Sequence, residues 1–380
     1  MVGASTADMR IVSVQLRDFR TYARAQAHLG PGLTVVHGPN GAGKSNLLES
    51  LYYGCTARSP RTRNERELVR FGAEAARVVV KLAAGSQEHE LSVGFGALAS
   101  GERPTKRMTA DGAPVERLLD APARPLLSVF MPDRLELLKG APALRRAHLD
   151  QLTAAIWPAR AQARREYSQV LAQRNALLSG IRFGRASRAT LSTWDRELAE
   201  KALVLRGLRA DAVTLLGAPF TQRAAQLGCS GTVSLEYRPR SRAMDAEGFV
   251  SELEQRLPGD LERGFSGHGP HRDELAILRD GRELRVYGSQ GEQRLALLAL
   301  LLAERAVLAS ERGRMPIMLL DDVMSELDAE RRELLAGELS LGGQSVIATT
   351  DLGHVPGAGD GTVARLRVSP GTVLQEALAA

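Results

Sequence analysis

The sequence predicts an α/β protein whose main domain is assembled from both chain ends, with a helical arm inserted between them. Three observations predict it. Near the N-terminus the β-rich run Leu33-Thr34-Val35-Val36-His37 enters a glycine-rich turn, and an apolar helical pattern leaves it through Leu47, Leu48 and Leu51. Near the C-terminus Ile317-Met318-Leu319-Leu320 reads as a buried strand ending in two acids, Asp321 and Asp322. Between them, apolar residues recur at three- and four-residue steps among arginines. The expected parts are an N-terminal lobe over 1–131, a helical arm over 132–230 and the rest of the main domain over 231–380.

The glycine-rich turn carries the most specific chemistry. Gly38-Pro39-Asn40-Gly41-Ala42-Gly43-Lys44-Ser45 has the G-x-x-x-x-G-K-[ST] spacing of a phosphate-binding loop, and Asn46 follows it. Small residues let successive backbone N–H groups curl round an anion, and the helix N-terminus adds its partial positive charge. Lys44 supplies a point charge for the outer phosphates, and Ser45 offers a hydroxyl to Mg²⁺. The bland alternative is an ordinary glycine-rich turn before a core helix. Strand, loop and helix in the right order favour a nucleoside triphosphate site.

Composition bounds the rest. A chain of 380 residues is long enough for two domains and ample core. No run of about 18 apolar residues reads as a membrane span, and no basic-then-apolar leader is expected at the N-terminus. Cys55 and Cys229 are far apart and make no ligand pair, so a reduced, cytoplasmic protein with structural cysteines is the expectation. The net charge of +6 hints at a polyanionic partner. From Arg134 to Gly217 there are 15 Lys and Arg against 7 Asp and Glu, an excess larger than that of the whole chain. The basic character is therefore local. Aromatics are 4% of residues, which argues against stacking platforms for single strands and for a surface that reads duplex phosphates. Arg164 and Arg165 are the arm residues chosen to test that surface. A plain helical subdomain with a solvated basic face is the competing reading.

In chain order, Ile11 to Leu16 alternates like a strand. Arg77 to Leu82 and His89 to Phe95 read as strands around Gly85-Ser86-Gln87, and Asp111-Gly112 marks a hairpin. Helical patterns run from Leu144 to about Gly180 and from Ala189 to about Leu227, with Pro158 kinking or dividing the first. Ser179 to Gly184 is the expected reversal between them. Strand texture returns at Thr232 to Tyr237, and Glu274 to Arg279 with Glu283 to Val286 brackets Asp280-Gly281 as a hairpin. His268 and His271 could suggest zinc, but no cysteine pair or second histidine pair completes a site.

Tyr287-Gly288-Ser289-Gln290-Gly291-Glu292-Gln293 then runs into an apolar helix from Arg294 to about Leu308. Serine and glycine at a helix start expose N–H groups and a hydroxyl, which suits an anion. Ser289 with Glu292 also reads as a capping box. Beyond it, Asp321 at its strand tip is placed to hold Mg²⁺ through the metal's water shell, and Asp322 to orient or deprotonate an attacking water. Paired carboxylates can instead be a cap and a turn residue; the upstream phosphate loop favours the catalytic reading. Ser325-Glu326-Leu327-Asp328 opens another helix, and Thr349-Thr350-Asp351 ends the short strand from Ser345 to Thr349, where a γ-phosphate sensor would belong.

This order of parts resembles the ATP-binding-cassette ATPases of the SMC type, and within them the RecF family of recombination mediators. Leu16 to Tyr22 with the loop Gly38 to Asn46 is similar to the family's N-terminal lobe. Pro132 to Pro142, ending in Arg145-Arg146 and Leu149-Asp150, resembles its first signature, with His148 where an aromatic is usual. Gly269 to Asp273 resembles the element before the ATPase signature, and Asp322 to Asp328 with Arg331 and Arg332 the second signature. Many cassette ATPases carry Glu where Asp322 stands; a shorter acid sits farther from the water, consistent with slow turnover.

The resemblance implies an ABC/SMC-type P-loop ATPase head with a compact arm, since helices of about 35 residues reach only about 50 Å. Gly38 to Asn46 would be Walker A, Asp321 and Asp322 Walker B, and Ser325 to Asp328 the D-loop. Ser289 to Gln293 would be a signature that acts in trans, Ser289 capping the γ-phosphate held by Lys44 of another copy. Implied with it are ATP and Mg²⁺, a homodimer that closes on DNA with ATP, and slow, DNA-stimulated hydrolysis that releases it. The family's setting is post-replicative gap repair in the SOS response, working with RecR and RecO to place RecA. Single-strand/double-strand junctions and plain duplex stay open as the preferred DNA. Rival readings are a P-loop kinase, an ATPase subunit of another assembly such as a transporter, and an ATP-latched DNA-binding module with negligible turnover. Phosphoryl transfer to a small acceptor, a membrane-domain partner, and phosphate release without or with DNA separate them.

Overall fold

The computed structural model describes residues 9–96, 104–118, 121–131 and 135–376. From the N-terminus come β1 (Met9–Phe19), β2 (Tyr22–His28), β3 (Leu33–His37), α1 (Lys44–Thr56), β4 (Ala75–Ala84), β5 (Gln87–Gly96), β6 (Thr105–Ala110), β7 (Ala113–Pro114) and β8 (Leu127–Phe130). The middle holds α2 (Leu135–Lys139), α3 (Pro142–Ile156), α4 (Ala163–Arg182), α5 (Leu191–Gln226), β9 (Val233–Arg238), α6 (Ala246–Arg263), β10 (Glu274–Arg279), β11 (Arg282–Glu283), α7 (Leu284–Tyr287) and α8 (Gln290–Arg312). The chain ends with β12 (Ile317–Asp321), α9 (Ala329–Ser340), β13 (Ser345–Thr349), β14 (Ala364–Ser369) and β15 (Thr372–Glu376).

Two compact units divide the chain. One holds the described residues up to 131, Gln226–Gly228 and everything from Leu308; the other holds Leu135–Ala225 and Cys229–Val307. The α/β head is thus built from both chain ends around a central insertion. The division differs from the expected one over 231–307, which packs with the inserted helices and not with the head. Of the first signature, Pro132 to Arg134 lies outside the described residues.

In the head, an antiparallel sheet has the order β2-β1-β4-β5-β6-β7, and a second sheet the order β15-β14-β3-β13-β12-β8. All pairs of the second sheet are parallel except β14 with β15. Its central strands are apolar along their length because both faces are covered: every residue of β12 and of β13 is buried. The first sheet alternates instead, and β4 buries Ala76, Val78, Val80 and Leu82 on one face. Helix α1 packs on β4 and β5 of one sheet and on β12 and β13 of the other, so Leu47, Leu48 and Leu51 join one core with Val36, Leu319 and Val346.

One side chain fastens the antiparallel sheet to the parallel one. The buried Gln344 accepts from Ile11 N at 2.7 Å and donates to Ile11 O and Gly30 O, each at 2.7 Å.

In the second unit, β9, β10 and β11 form a small antiparallel sheet. Tyr167 and Val170 of α4, Leu198, Ala202 and Leu205 of α5, and Phe249 and Leu253 of α6 form its apolar core. Around that core lie three buried arginines. Arg145 grips both oxygens of Glu274 at 2.6 and 2.7 Å. Arg174, fully buried, meets Asp195 at 2.6 Å and Asp260 at 3.1 Å. Arg209 holds Asp150 at 2.8 and 3.1 Å and Asp273 at 3.3 Å. Each links the 135–225 segment to itself or to 229–307, which explains why 231–307 packs here.

Several local expectations shift. Pro158 divides the first helical run, with α3 ending at Ile156 and α4 starting at Ala163. The reversal comes later than Ser179, because α4 continues to Arg182 and the chain turns at Phe183 and Gly184, the latter at φ 67°. The strand expected over Glu283 to Val286 stops at Glu283. Leu284–Tyr287 is a helical turn instead, its carbonyls at Leu284, Arg285 and Gly288 collected by the Gln293 amide. Helix α6 was not anticipated, although Asp245 accepts from Gly248 N at 2.8 Å as its N-cap.

Replacing Gln344 with Leu removes the side-chain partner of two buried backbone groups, Ile11 N and Ile11 O, at about 1–3 kcal/mol each, and of the partly buried Gly30 O. The thermal unfolding midpoint of Gln344→Leu should fall clearly below wild type. An unchanged midpoint would show that the amide does not fasten the sheets.

Candidate functional site

Parallel pairing sets His37 beside Thr349 and Asp321 beside Ala348, so the C-terminal ends of β3, β13 and β12 meet at the loop over 38–43. That is where ligands sit in α/β sheets. The loop can pass close to β14 only because residue 38 has no side chain: a Cβ there would lie 2.2 Å from Val368 O, at φ 152°. Gly43 is the N-cap of α1, and its carbonyl accepts from the buried Tyr22 hydroxyl at 2.9 Å.

Lys44 is the first residue of α1 and is buried. Its Nζ donates to Gly38 O at 2.8 Å and Pro39 O at 3.0 Å. Burial pulls its pKa below the ordinary lysine value, and the charges of Asp322 and Asp321 oppose that shift. Asp321, also buried, has its pKa raised by desolvation and by Asp322, while a hydrogen bond from Ser45 works the other way. Asp322 adopts φ 52°, a left-handed conformation that costs a non-glycine residue about 1 kcal/mol or more. Its N–H donates to Ala348 O at 2.9 Å, while its Oδ1 is buried with no hydrogen-bond partner among the described residues.

These residues fit a triphosphate and Mg²⁺. A glycine cradle at a helix N-terminus suits phosphate oxygens, and the Ser45 hydroxyl with the Asp321 carboxylate is the hard-oxygen donor set that Mg²⁺ takes. The unpartnered Asp322 Oδ1 is a buried acceptor awaiting a donor.

A layer of side chains that the sequence reading missed stands behind the loop. Glu49, fully buried in α1, accepts from Arg20 Nε and Nη2 at 2.9 and 2.8 Å, from Ser59 Oγ at 2.6 Å and from Arg61 Nη1 at 3.1 Å. Arg61 also donates to Asn46 Oδ1 at 2.9 Å, and its charge opposes the upward shift of the Asp321 pKa. The signal was Glu49 itself, an acid among Leu47, Leu48 and Leu51 on a buried helix.

Ser325 Oγ donates to Asp322 O at 2.9 Å, and Asp328 caps α9 by accepting from Arg331 N at 3.0 Å. Glu326 is exposed and Leu327 buried. Thr349 Oγ1 donates to Asp351 O at 3.0 Å. The loop, Asp321, Asp322 and Ser325 therefore come together in the head, whereas Ser289 to Gln293 belong to the second unit. There the capping box is formed: Ser289 N donates to Glu292 Oε2 at 2.8 Å and Glu292 N to Ser289 Oγ at 3.3 Å. Glu292 is further held by Arg279 and Ser230, and Gln293 is buried. Ser289, Gln290 and Gly291 remain exposed.

Of the two arm residues chosen for DNA, both are exposed, but Arg164 pairs with Asp150 at 3.1 Å. His268 bonds Glu252 at 2.6 Å, and His271 uses both ring nitrogens on Tyr167 and Ser266 O. No group of three or more His, Cys, Asp or Glu side chains placed to hold a metal ion occurs among the described residues. Cys55 is buried, with its thiol pushed up to about 12, and Cys229 is half-buried. No described helix is long and apolar enough to cross a membrane.

The fold and the loop geometry define the class: an α/β P-loop ATPase head, similar in fold to SMC heads, with a central helical insertion. A solved SMC head domain shares the fold at TM-score 0.58 and 17% identity, covering 97% of this chain and 98% of that one. The AAA-domain family matches residues 13–107. The DNA replication and repair protein RecF of Heliobacterium modesticaldum is 35% identical over 350 residues, spanning 90% of this chain and 92% of that protein. A solved structure of the recombination mediator protein RecF with ATP superposes at TM-score 0.86 with 26% identity, covering 99% of this chain and 100% of that one. The chain belongs to the RecF family.

Two glycines of the loop separate steric from conformational strain. Gly38→Ala drives a Cβ into Val368 O, whereas Gly41→Ala meets nothing within 4 Å and bears only the strain of φ 77°. Gly41→Ala should cost about 1 kcal/mol and Gly38→Ala clearly more, read as thermal midpoints. Equal midpoints would contradict the close approach of the loop to β14.

Proposed function

We propose that this protein is an ATP-dependent recombination mediator whose head binds ATP with Mg²⁺ and closes as a homodimer on DNA. The observation that carries the reading is the buried Lys44 ammonium among Asp321, Asp322 and the glycine cradle. In such a cluster Lys44 and the cradle N–H groups would take the phosphates, Mg²⁺ would offset the excess carboxylate charge, and a water would donate to the unpartnered Asp322 Oδ1. In the RecF structure with ATP the relative is described as acting in the RecFOR pathway, which supports the same setting here, with RecR and RecO as partners and RecA loading as the outcome.

The residues act as follows. Backbone N–H groups of Gly38 to Ser45 hold the phosphates, and Lys44 leaves the Gly38 and Pro39 carbonyls for the outer phosphates. Ser45 and Asp321 would hold Mg²⁺, which neutralises phosphate charge when bound. Asp322 orients the attacking water and accepts its proton. The exposed Ser289 of a second copy seats the γ-phosphate, and Ser325 to Asp328 line the joint between copies. Unpaired cations of the insertion, Arg165 among them, contact duplex phosphates. Turnover is slow because the Asp322 carboxylate is short and hydrolysis serves release.

Lys44→Met should lose ATP binding and ATP-dependent dimerisation, measured by nucleotide titration and by mass in solution. Asp322→Asn should keep ATP and the closed dimer while phosphate release falls about 100-fold or more. Hydrolysis at the wild-type rate in Asp322→Asn would remove Asp322 from the role of base.

A further inference from the structure

The N-terminus of α8 is already occupied by an anion from its own chain. Oε2 of the Glu292 carboxylate accepts the Ser289 N–H at 2.8 Å, while Ser289 Oγ accepts the Glu292 N–H at 3.3 Å. Backbone N–H groups at a helix start are the donors that a phosphate would use. The Ser289 N–H is therefore taken for as long as this contact lasts. The other carboxylate oxygen, Oε1, accepts from Ser230 Oγ at 3.0 Å and pairs with Arg279 of β10. Hydrogen bonds from the Ser289 N–H and from Ser230 hold the Glu292 carboxyl below the usual carboxylate range, so it is charged at neutral pH.

A helix cap does not need that charge. A capping box closes with either Glu or Gln at this position, because the cap requires one acceptor oxygen. Nor does a cap need the grip of Arg279 and Ser230, which lie outside α8, on β10 and on the segment before β9. The carboxylate thus has two anchorages, one on the exposed Ser289 and one on a cation and a hydroxyl away from the exposed 289–291 stretch. A γ-phosphoryl group brought to Ser289 by a second copy is a second anion at the same N–H. Two anions that close repel each other, and the carboxylate is the one with a second anchorage in place.

We propose that Glu292 is the specificity-determining residue of the Ser289 seat: its carboxylate fills the seat until a γ-phosphate displaces it onto Arg279 and Ser230. The inference rests on the reading of Ser289 as a seat for the γ-phosphate of another copy, and deepens it. A nucleoside diphosphate brings no group to Ser289 and leaves the carboxylate in place. Pairing of two copies thus carries an electrostatic threshold that only a triphosphate crosses, and Arg279 lowers it by receiving the displaced charge.

The test measures, by mass in solution, the protein concentration at half-pairing of the full chain. One arm holds Mg²⁺ and ADP; the other holds Mg²⁺ and the β,γ-imido analogue of ATP, so that turnover does not drain the pair. Glu292→Gln keeps the cap and removes the charge. With the analogue it should pair at a concentration lower by about fivefold or more, and with ADP it should behave as wild type does. Arg279→Met should need about fivefold more protein with the analogue, yet change pairing less than about twofold when combined with Glu292→Gln. No gain, or weaker pairing, in Glu292→Gln with the analogue would overturn the proposal and leave Glu292 as a cap. So would an equal gain with ADP, which is general charge relief, or an Arg279→Met loss of the same size in both backgrounds. Ser289→Arg separates the two levels of the argument. Pairing lost in Ser289→Arg but unmoved by Glu292→Gln overturns the role of Glu292 alone; pairing that survives Ser289→Arg overturns the seat as well.

Discussion

The head depends on one electrostatic constraint: a buried lysine held among carboxylates at the ends of parallel strands. Lys44, Asp321 and Asp322 come from opposite ends of the chain and meet because β3, β13 and β12 pair in parallel and in one register. A one-residue slip of β12 would turn Asp321 away from the loop. Much of the rest keeps that register. The Gln344 amide binds the two sheets, α1 is packed against both, and Tyr22 pins the Gly43 carbonyl. Behind the loop, Arg20 and Arg61 both hold the fully buried Glu49, so that its charge does not face the core unpaired, and Arg61 also stands beside Asn46.

The second unit solves a different problem. It holds 26 Lys and Arg against 20 Asp and Glu, so the whole net charge of +6 resides there and the head is neutral. That excess is not all surface. Arg145, Arg174 and Arg209 are buried and spent on Glu274, Asp195, Asp260, Asp150 and Asp273. Breaking such a pair on one side strands a charge, which makes these arginines structural rather than available to a partner. The cations left over are the exposed ones, Arg165 among them.

Motifs whose chemistry dictates local geometry were legible in the sequence. The phosphate loop, the apolar strand ending in Asp321 and Asp322, and the capping box at Ser289 are each read from adjacent residues and appear in the fold as such. Features that depend on distant partners were not. Counting arginines between 134 and 217 could not tell Arg209, locked onto Asp150 and Asp273, from exposed Arg165. Helix α6 escaped because Gly248, Pro258 and Gly259 blur its period, and its anchors, Phe249 and Leu253, find their cavity only once α4 and α5 have packed. The left-handed Asp322 and the network at Glu49 likewise leave no mark at the level of spacing.

The trans arrangement of the signature is tested most directly by mixing two inactive variants, Lys44→Met and Ser289→Arg, and measuring phosphate release across their ratio. In a mixed dimer one site carries both lesions, while the other joins an intact Lys44 to an intact Ser289. Titrating wild type with each variant alone calibrates whether one working site suffices for turnover. With that control positive, ATPase activity absent from either variant should appear on mixing and peak near equal proportions. No activity at any ratio, under the same control, would contradict a site shared between two copies.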